Sequence, residues 1–214
     1  MIRIKICGVT TPSDAAAISE LGADMIGLNF IRSSPRRITV EVADSIIAKI
    51  GSEKVVGLCD YNDCSHGDEI HRLVGALELK CLQPYNMADA YLGEAIDYIE
   101  PFRVGRRGHL RVIPDYRTRV ENEKPIAIVI DSYQPRMLGG TGHIAPWDLL
   151  AGFDPGVPVI LAGGLTPENV AEAISIVKPW GVDVASGVEK SPGVKDLHKV
   201  KAFIDAAREA SSAL

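Results

Sequence analysis

Two reactive side chains stand at the ends of apolar segments that lie far apart in the sequence. Cys7 closes the segment that begins at Ile2, and Asp131 follows the run IAIVI that begins at Ile126. A cysteine acts as a nucleophile or base once neighbouring dipoles or cations lower its pKa, and a carboxyl group that ends a buried strand must be paired, hydrogen-bonded or functional. Each residue could instead have a structural role. Cys7 would then be a small buried apolar residue, and Asp131 a helix N-cap or the partner of an arginine.

Two further groups of residues are suited to binding an anion. The arginine-rich segment 32–37 follows the second apolar run, and the pairs Gly163-Gly164 and Ser186-Gly187 follow two later ones. A guanidinium fork matches a carboxylate, and a glycine turn lets backbone N–H groups approach phosphate oxygens. The alternative for the glycines is that they only allow tight turns.

Short apolar segments alternate with amphipathic stretches along the whole chain, which is typical of a parallel sheet wrapped in helices. The pattern predicts strands at Ile2 to Cys7, Met25 to Phe30, Lys54 to Cys59, Leu79 to Gln83, His109 to Ile113, Ile126 to Asp131, Val157 to Ala162 and Val182 to Ala185. It predicts helices at Pro12 to Leu21, Thr39 to Ile50, Thr166 to Val177 and Val194 to Ala210. Thr11 is expected to cap the first helix, because threonine before a proline and an acidic residue is a helix-start signal.

The middle of the chain has a weaker pattern. Met87 to Ile99 is predicted to be helical and Pro101 to Gly108 to form a basic loop. Arg117 to Lys124 offers little apolar surface, so we expect a short or irregular fifth helix there.

Eight β/α units without a linker rich in proline or serine predict an α/β fold, a single (β/α)8 TIM-barrel domain over residues 1–214. An open doubly wound sheet is the competing fold. It usually carries a glycine fingerprint after the first strand, and the sequence CGVT at that place is not one. Since the C-terminal ends of barrel strands share one mouth, the barrel predicts that Cys7, Asp131 and the anion-binding groups meet there.

The composition excludes several classes of protein. With 46% hydrophobic and 24% charged residues the chain is an ordinary globular sequence, and its net charge of −5 argues against a nucleic-acid partner held by a basic surface. The N-terminus reaches a helix-start signal too soon for a secretory leader, and no run is long enough to span a bilayer. We therefore expect a cytoplasmic protein without a membrane partner, and either a monomer or a homodimer.

The cysteines do not indicate a disulfide scaffold or a metal site. Four cysteines are sparse for a chain of this size, and a reducing compartment would keep them as thiols. Cys59, Cys64, His66 and His71 lie close together in the sequence, but structural zinc sites use two tight ligand pairs. We therefore predict no metal.

Six segments, in this order, resemble the phosphoribosylanthranilate isomerases of tryptophan biosynthesis. They are KICGVT (5–10), GADMIGLNF (22–30), SPRRI (34–38), DSY with GGTG (131–133 and 139–142), LAGGLTPENV (161–170) and GVDVASGVE with PGVKD (181–189 and 192–196). The resemblance covers nearly the whole chain except its middle. It implies an Amadori rearrangement of N-(5-phosphoribosyl)anthranilate to 1-(2-carboxyphenylamino)-1-deoxyribulose 5-phosphate, a small phosphorylated substrate and no cofactor or metal.

The resemblance also implies the catalytic roles. Asp131 would be the general acid that protonates the furanose ring oxygen, and Cys7 the base that removes the proton from C2 of the sugar. Acid catalysis at neutral pH requires a carboxyl pKa raised by burial, and base catalysis requires a thiol pKa lowered towards neutrality. The environments of the two groups must therefore differ.

The implied binding roles fall on the anion-binding groups. Arg36 would face the anthranilate carboxylate, Arg37 would be solvated, and Asp183 would orient the last loop. The phosphate would lie against Gly163, Gly164, Ser186 and Gly187.

The chain departs from the family pattern on the substrate side of the mouth. QPYN (83–86) stands where the family has QLHG, HLRVIPDY (109–116) is atypical, and Ala145 and Pro146 replace an aromatic residue and an aspartate before Trp147. Beside a faithful isomerase, two alternatives stay open: a relative that acts on a different phosphorylated sugar amine, and a non-catalytic protein that binds phosphorylated sugars. Retention of Cys7 and Asp131 argues against the second alternative.

Overall fold

The computed structural model describes residues 1–63, 68–87, 96–120, 124–132 and 147–214. These ranges contain the strands β1 Arg3–Cys7, β2 Met25–Asn29, β3 Val55–Asp60, β4 Cys81–Tyr85, β5 Asp97–Val104, β6 Ala127–Ser132, β7 Val159–Leu161 and β8 Gly181–Val184. Each strand pairs in parallel with the next, and β8 pairs with β1, so the sheet closes into a barrel. The predicted TIM barrel is confirmed, and the open doubly wound sheet is excluded.

The helices of the described ranges follow the strands along the chain, and α1, α2, α6 and α7 overlap the helices that the sequence pattern predicts. They are α1 Pro12–Glu20, α2 Val40–Ile50, α3 Asp68–Leu77, α4 Arg107–Leu110, α5 Trp147–Leu150, α6 Val170–Val177 and α7 Leu197–Ser212. Short 3-10 turns lie at Ser52–Lys54, Tyr61–Asp63, Tyr116–Thr118 and Ser186–Val188. No helix within the described ranges is long and apolar enough to cross a membrane.

Local chemistry explains where several helices begin. The predicted cap Thr11 accepts a hydrogen bond from the Asp14 backbone N–H at 3.1 Å, which satisfies one of the free donors of the first turn. The last helix is predicted from Val194 but begins at Leu197, because residues 194–195 form a strand, β10 Val194–Lys195, that pairs antiparallel with β9 Glu189–Ser191. Asp196 then caps α7.

The fifth strand is the place where the sequence prediction is wrong. It was expected at His109 to Ile113, whereas β5 occupies Asp97–Val104 and pairs with β6 from Ile99 onwards. The strand therefore takes up the end of the predicted helix 87–99 and part of the predicted loop 101–108. Residues 107–110 form α4 instead, and Val112 beyond it is 74% exposed.

The composition of β5 explains this error. Its sequence DYIEPFRV has no continuous apolar run, and Pro101 lacks the N–H group that a strand interior normally supplies to its neighbour. Only Ile99 and Val104 of this strand are buried. In the segment 117–124, where a short helix was expected, residues 117 and 118 belong to a 3-10 turn and 121–123 lie outside the described residues.

Alternation along each strand sorts the side chains into two layers. Ile4 and Ile6 of β1 point out to the helices and belong to the larger apolar cluster, which lies between barrel and helices. Lys5 and Cys7 point into the barrel, where Cys7 joins a second apolar cluster with Val129 and other inward residues. The interior of the barrel is thus filled, and the strand ends with their following loops form its open mouth.

Candidate active site

A cavity of about 450 Å³ opens at the C-terminal ends of the barrel strands. Six of the predicted site residues line it, namely Cys7, Arg36, Asp131, Gly163, Gly164 and Ser186. The remaining predicted residue, Gly187, does not line the cavity and follows Ser186 in the sequence. The barrel therefore brings together side chains from its first, second, sixth, seventh and eighth β/α units.

Cys7 is the last residue of β1 and is 8% exposed. Its register partner on β2 is Gly27, and a Cβ at that position would lie 2.8 Å from Cys7 Sγ. Burial raises the pKa of the Cys7 thiol; the Lys5 ammonium opposes this shift and the Asp183 carboxylate adds to it. Burial therefore opposes the lowered pKa that base catalysis requires, whereas Lys5 supports it.

Asp131 lies next to the end of β6 and is half-buried. Its register partner on β5 is Arg103, whose guanidinium lies 5.9 Å from the centre of the Tyr85 ring. Burial, followed by the charge of Asp131, raises the pKa of Tyr85, so this phenol stays protonated beside the carboxyl group. The loop 133–146, which carries Tyr133, the GGTG motif and the Ala-Pro departure, lies outside the described residues.

A buried chain of polar side chains forms the floor of the cavity. Lys5 Nζ donates to Asp183 Oδ2 at 2.8 Å and to Gln83 Oε1 at 3.0 Å, and Gln83 Nε2 donates to the Tyr85 hydroxyl at 2.8 Å. Burial alone would lower the pKa of Lys5, but the Asp183 carboxylate raises it above its ordinary value. Asp183, which the sequence analysis expects to orient the last loop, forms an ion pair with Lys5 inside the barrel.

Arg36 is held by a bidentate ion pair. Its Nε and Nη2 atoms donate to the two carboxylate oxygens of Glu189 at 2.8 and 2.7 Å, and its side chain is 12% exposed. This hydrogen-bonded contact raises the pKa of Arg36. This pair uses two of the five guanidinium N–H groups, and Arg36 also lines the cavity. Arg37, in contrast, is exposed, as expected.

Lys195, fully buried, binds the same carboxylate from the other side. Its Nζ atom donates to Glu189 Oε1 at 2.9 Å, to the Cys7 carbonyl oxygen at 2.6 Å and to the Ala185 carbonyl oxygen at 3.1 Å. These contacts connect the hairpin of β9 and β10 to the ends of β1 and β8. Because the bonds of Arg36 and Lys195 outweigh burial, the pKa of Glu189 lies below its ordinary range.

The glycine turns after β7 and β8 touch one another. Gly163 and Gly164 have φ angles of 88° and 66°, which L-residues with a side chain rarely adopt. Asn169 Nδ2 donates to the Gly164 carbonyl oxygen at 2.9 Å and so braces the first turn. A Cβ on Gly187 would lie 2.0 Å from the Leu165 carbonyl oxygen, so glycine is required for the second turn to approach the first.

Sequence reasoning missed several residues that support the site. Lys5 and Gln83 had a detectable signal, since a polar residue inside an apolar strand must have a buried partner. Glu189 and Lys195 stand in the family-like segments 181–189 and 192–196, but their contact with Arg36 could not be predicted because it depends on closure of the barrel. Of the four residues weighed as metal ligands, Cys64 and His66 lie outside the described part of the chain.

Residues 4–206 match the family model described as N-(5'phosphoribosyl)anthranilate (PRA) isomerase. An N-(5'-phosphoribosyl)anthranilate isomerase of Rippkaea orientalis is 37% identical over 219 residues, covering 99% of this chain and 98% of the relative. One of Neisseria gonorrhoeae is 40% identical over 212 residues, covering 98% of each chain.

Solved structures agree with these matches. The phosphoribosyl anthranilate isomerase of Thermotoga maritima superposes with a TM-score of 0.83 at 31% identity, covering 98% of this chain and 100% of that one. A phosphoribosyl anthranilate isomerase in complex with reduced 1-(o-carboxyphenylamino)-1-deoxyribulose 5-phosphate superposes with a TM-score of 0.80 at 29% identity and the same coverage.

Proposed function

The chain belongs to the N-(5'-phosphoribosyl)anthranilate isomerase family, and from this premise we propose which of its residues carry the reaction. It is an isomerase of tryptophan biosynthesis that converts N-(5-phosphoribosyl)anthranilate to 1-(2-carboxyphenylamino)-1-deoxyribulose 5-phosphate by an Amadori rearrangement. The observation that supports the proposed roles is that Cys7 and Asp131 line one cavity together with Arg36 and the glycine turns.

Asp131 acts first, as the general acid. It donates its proton to the furanose ring oxygen, the bond between C1 and that oxygen breaks, and the lone pair of the anthranilate nitrogen forms a C=N iminium bond. The position of Asp131 at the end of β6, in the wall of the cavity, supports this role.

Cys7 acts second, as the general base. Its thiolate takes the proton from C2, the electrons of that C–H bond form a C1=C2 double bond, and the iminium nitrogen becomes neutral. The resulting enolamine tautomerises to the ketone. Burial raises the pKa of the Cys7 thiol, while Lys5 and the positive charge of the iminium ion beside it favour the thiolate that takes the C2 proton.

The two anionic ends of the substrate fit the two ends of the cavity. Arg36 faces the anthranilate carboxylate with the N–H groups that Glu189 leaves available. The phosphate lies against the turns after β7 and β8, where Gly163, Gly164 and Ser186 line the wall and Gly187 allows the two turns to approach each other. Backbone amides bind the phosphate there without a resident cation.

Two alternatives from the sequence are not favoured. Relatives at 37% and 40% identity over nearly the whole chain are named isomerases of this substrate, which argues against a change of sugar amine. The cavity holds both a thiol and a carboxyl group, which argues against a protein that only binds its ligand.

Turnover of N-(5-phosphoribosyl)anthranilate, followed by loss of its fluorescence, tests this proposal. We expect the parent protein to be active and Cys7→Ser and Asp131→Asn each to lower kcat by about 10²- to 10⁴-fold, the usual contribution of a general acid or base. Cys59→Ser is the matched control, since Cys59 is a buried thiol outside the cavity wall. A folded parent without activity, or variants that turn over normally, would refute the assignment. Complementation of a tryptophan-requiring strain that lacks the isomerase gives the same comparison in cells.

The proposal extends to the organisation of the protein. A family match over residues 4–206 supports a single TIM-barrel domain. We propose that it acts in the cytoplasm on a small phosphorylated substrate. It would do so as a monomer or a homodimer, in line with the solved structure of monomers made from a dimeric isomerase of Thermotoga maritima. Sedimentation of the purified protein distinguishes the two assemblies.

A further inference from the structure

The buried ammonium group of Lys195 joins three parts of the active site. It reaches the Cys7 carbonyl at the end of β1, the Ala185 carbonyl at the end of β8 and the Glu189 carboxylate that holds Arg36. Its side chain has no exposure to solvent. Lys195 does not contact the Cys7 thiol or the Asp131 carboxyl group in any of these hydrogen bonds. Any contribution of Lys195 to the reaction must therefore act through its neighbours.

The contacts of Lys195 require the charged form of the amine. Three oxygen atoms surround Nζ at 2.6 to 3.1 Å, and only an ammonium group carries three N–H donors. Two of these oxygens belong to backbone carbonyls, and the third belongs to Glu189. Glu189 is therefore the one carboxylate that Lys195 binds directly, and the charge of Lys195 also lowers the pKa of the Cys7 thiol.

Glu189 is the common partner of two cations. Its Oε1 atom accepts from Arg36 Nε, Lys195 Nζ and the Gly193 backbone N–H, and its Oε2 atom accepts from Arg36 Nη2. Two positive charges and one negative charge leave the cluster with one net positive charge. Without Lys195, the Arg36–Glu189 pair would be neutral.

We propose that Lys195 is a positioning residue that determines specificity for the substrate carboxylate. By neutralising Glu189, it allows that residue to orient the Arg36 fork while Arg36 still presents a full positive charge to the cavity. The inference rests on the proposed role of Arg36. A neutral Arg36–Glu189 pair would donate hydrogen bonds to a carboxylate but would attract it much less strongly.

A purely structural role for Lys195 makes a different prediction. If Lys195 only tied β1, β8 and the hairpin together, its loss would loosen the whole cavity and weaken every ligand alike. If it supplies the missing charge, its loss would weaken only ligands that carry the carboxylate. Removal of the Glu189 charge as well would then restore the affinity for the ligands that carry the carboxylate.

Calorimetric affinities for two ligands separate these cases. One is reduced 1-(2-carboxyphenylamino)-1-deoxyribulose 5-phosphate, and the other is the same compound without the carboxylate. We expect the parent to prefer the first ligand, Lys195→Met to lower that preference about tenfold, and the double variant Lys195→Met with Glu189→Gln to return it towards the parent value. Equal weakening of both ligands in Lys195→Met, or a double variant that fails to regain the preference, would overturn the inference.

The double variant also carries the test if Lys195→Met does not fold. It removes both members of a buried charge pair, which proteins tolerate better than the loss of one member. Failure of this inference is distinct from failure of the proposed function. A parent that turns over the substrate, together with a Lys195→Met variant that keeps the parent's preference for the carboxylate ligand, refutes the role of Lys195 alone, whereas a folded parent without turnover refutes the proposed function.

Discussion

At the scale of single residues, the ionisation of Cys7 depends on a balance between burial and neighbouring charges, among which Lys5 is the cation with the largest effect. Burial raises the thiol pKa, and Lys5, two residues earlier on the same face of β1, opposes it. Lys5 stays charged inside the barrel because Asp183 accepts its hydrogen bond at 2.8 Å. The ion pair in the floor therefore supports the base above it.

Replacement of Lys5 tests this balance. In Lys5→Met the thiol loses the cation that lowers its pKa most, while Asp183, which raises it, remains. The pKa of Cys7 therefore moves upwards. We expect the rate of Cys7 alkylation, measured against pH, to shift to higher pH by about one unit, and the rising limb of kcat/KM to shift with it.

Lys54→Met serves as the control, because Lys54 binds Ser19 at 2.7 Å and does not line the cavity. An unchanged alkylation profile in a folded Lys5→Met protein would show that Lys5 has no influence on the thiol.

At the scale of elements, the loops after β7 and β8 act as one unit because they are in contact. The close approach of Gly187 to the Leu165 carbonyl oxygen leaves no room for a side chain. Asn169 holds the first loop through Gly164 O and the Thr166 backbone N–H. A proposed phosphate site that uses both loops therefore depends on their separation.

Gly187→Ala is expected to push the two loops apart. The added Cβ would lie 2.0 Å from a backbone oxygen, so the backbone itself must move. We expect KM for the phosphorylated substrate and the inhibition constant of inorganic phosphate each to rise about tenfold, with a smaller change in kcat.

The matched control is Gly75→Ala on α3, where an added Cβ would meet nothing within 4 Å. Steady-state kinetics with inorganic phosphate as inhibitor gives both constants. Equal effects of the two substitutions on the phosphate constant would contradict the proposed phosphate site.

At the scale of the whole molecule, the C-terminal helix α7 is attached to the first strand of the barrel. Arg208 donates to the Ile2 carbonyl oxygen, to the Gly22 carbonyl oxygen at 3.2 Å and to Asp24 Oδ2 at 2.8 Å. Asp24 in turn accepts from the Ile4 backbone N–H at 2.8 Å. One side chain thus links the last helix to β1 and to the turn before β2, at the end of the barrel opposite the cavity.

Arg208→Ala is expected to lower the free energy of unfolding by about 1–3 kcal/mol, because it removes the ion pair with Asp24 and the hydrogen bonds to two backbone carbonyls that attach α7 to the barrel. KM and kcat should not change, since Arg208 lies far from the cavity. Lys201→Ala on the same helix is the control. The Lys201–Asp205 pair at 2.6 Å is exposed, and such pairs contribute less than about 1 kcal/mol. Urea denaturation measures both variants, and equal stability losses would show that Arg208 does not fasten α7.

Much of the architecture was predictable because it depends on local patterns. Seven of the strands overlap their predicted positions, since apolar runs bounded by turn residues identify a buried strand from its own neighbours. β5 was not predictable in this way. Its polar residues and Pro101 hide it, and only pairing with β4 and β6 on both sides makes it a strand.

The sequence by itself determined which reactive groups end the strands, because strand ends are local features; Cys7, Asp131 and the glycine turns were all identified there. Only the tertiary structure decided how these groups are charged and held. Arg36 meets Glu189 across 153 residues of sequence, and Lys5 meets Asp183 across 178. Ion pairs of this kind form only when a closed barrel brings its first and last strands together. Their strength depends on burial, which no local pattern of residues records.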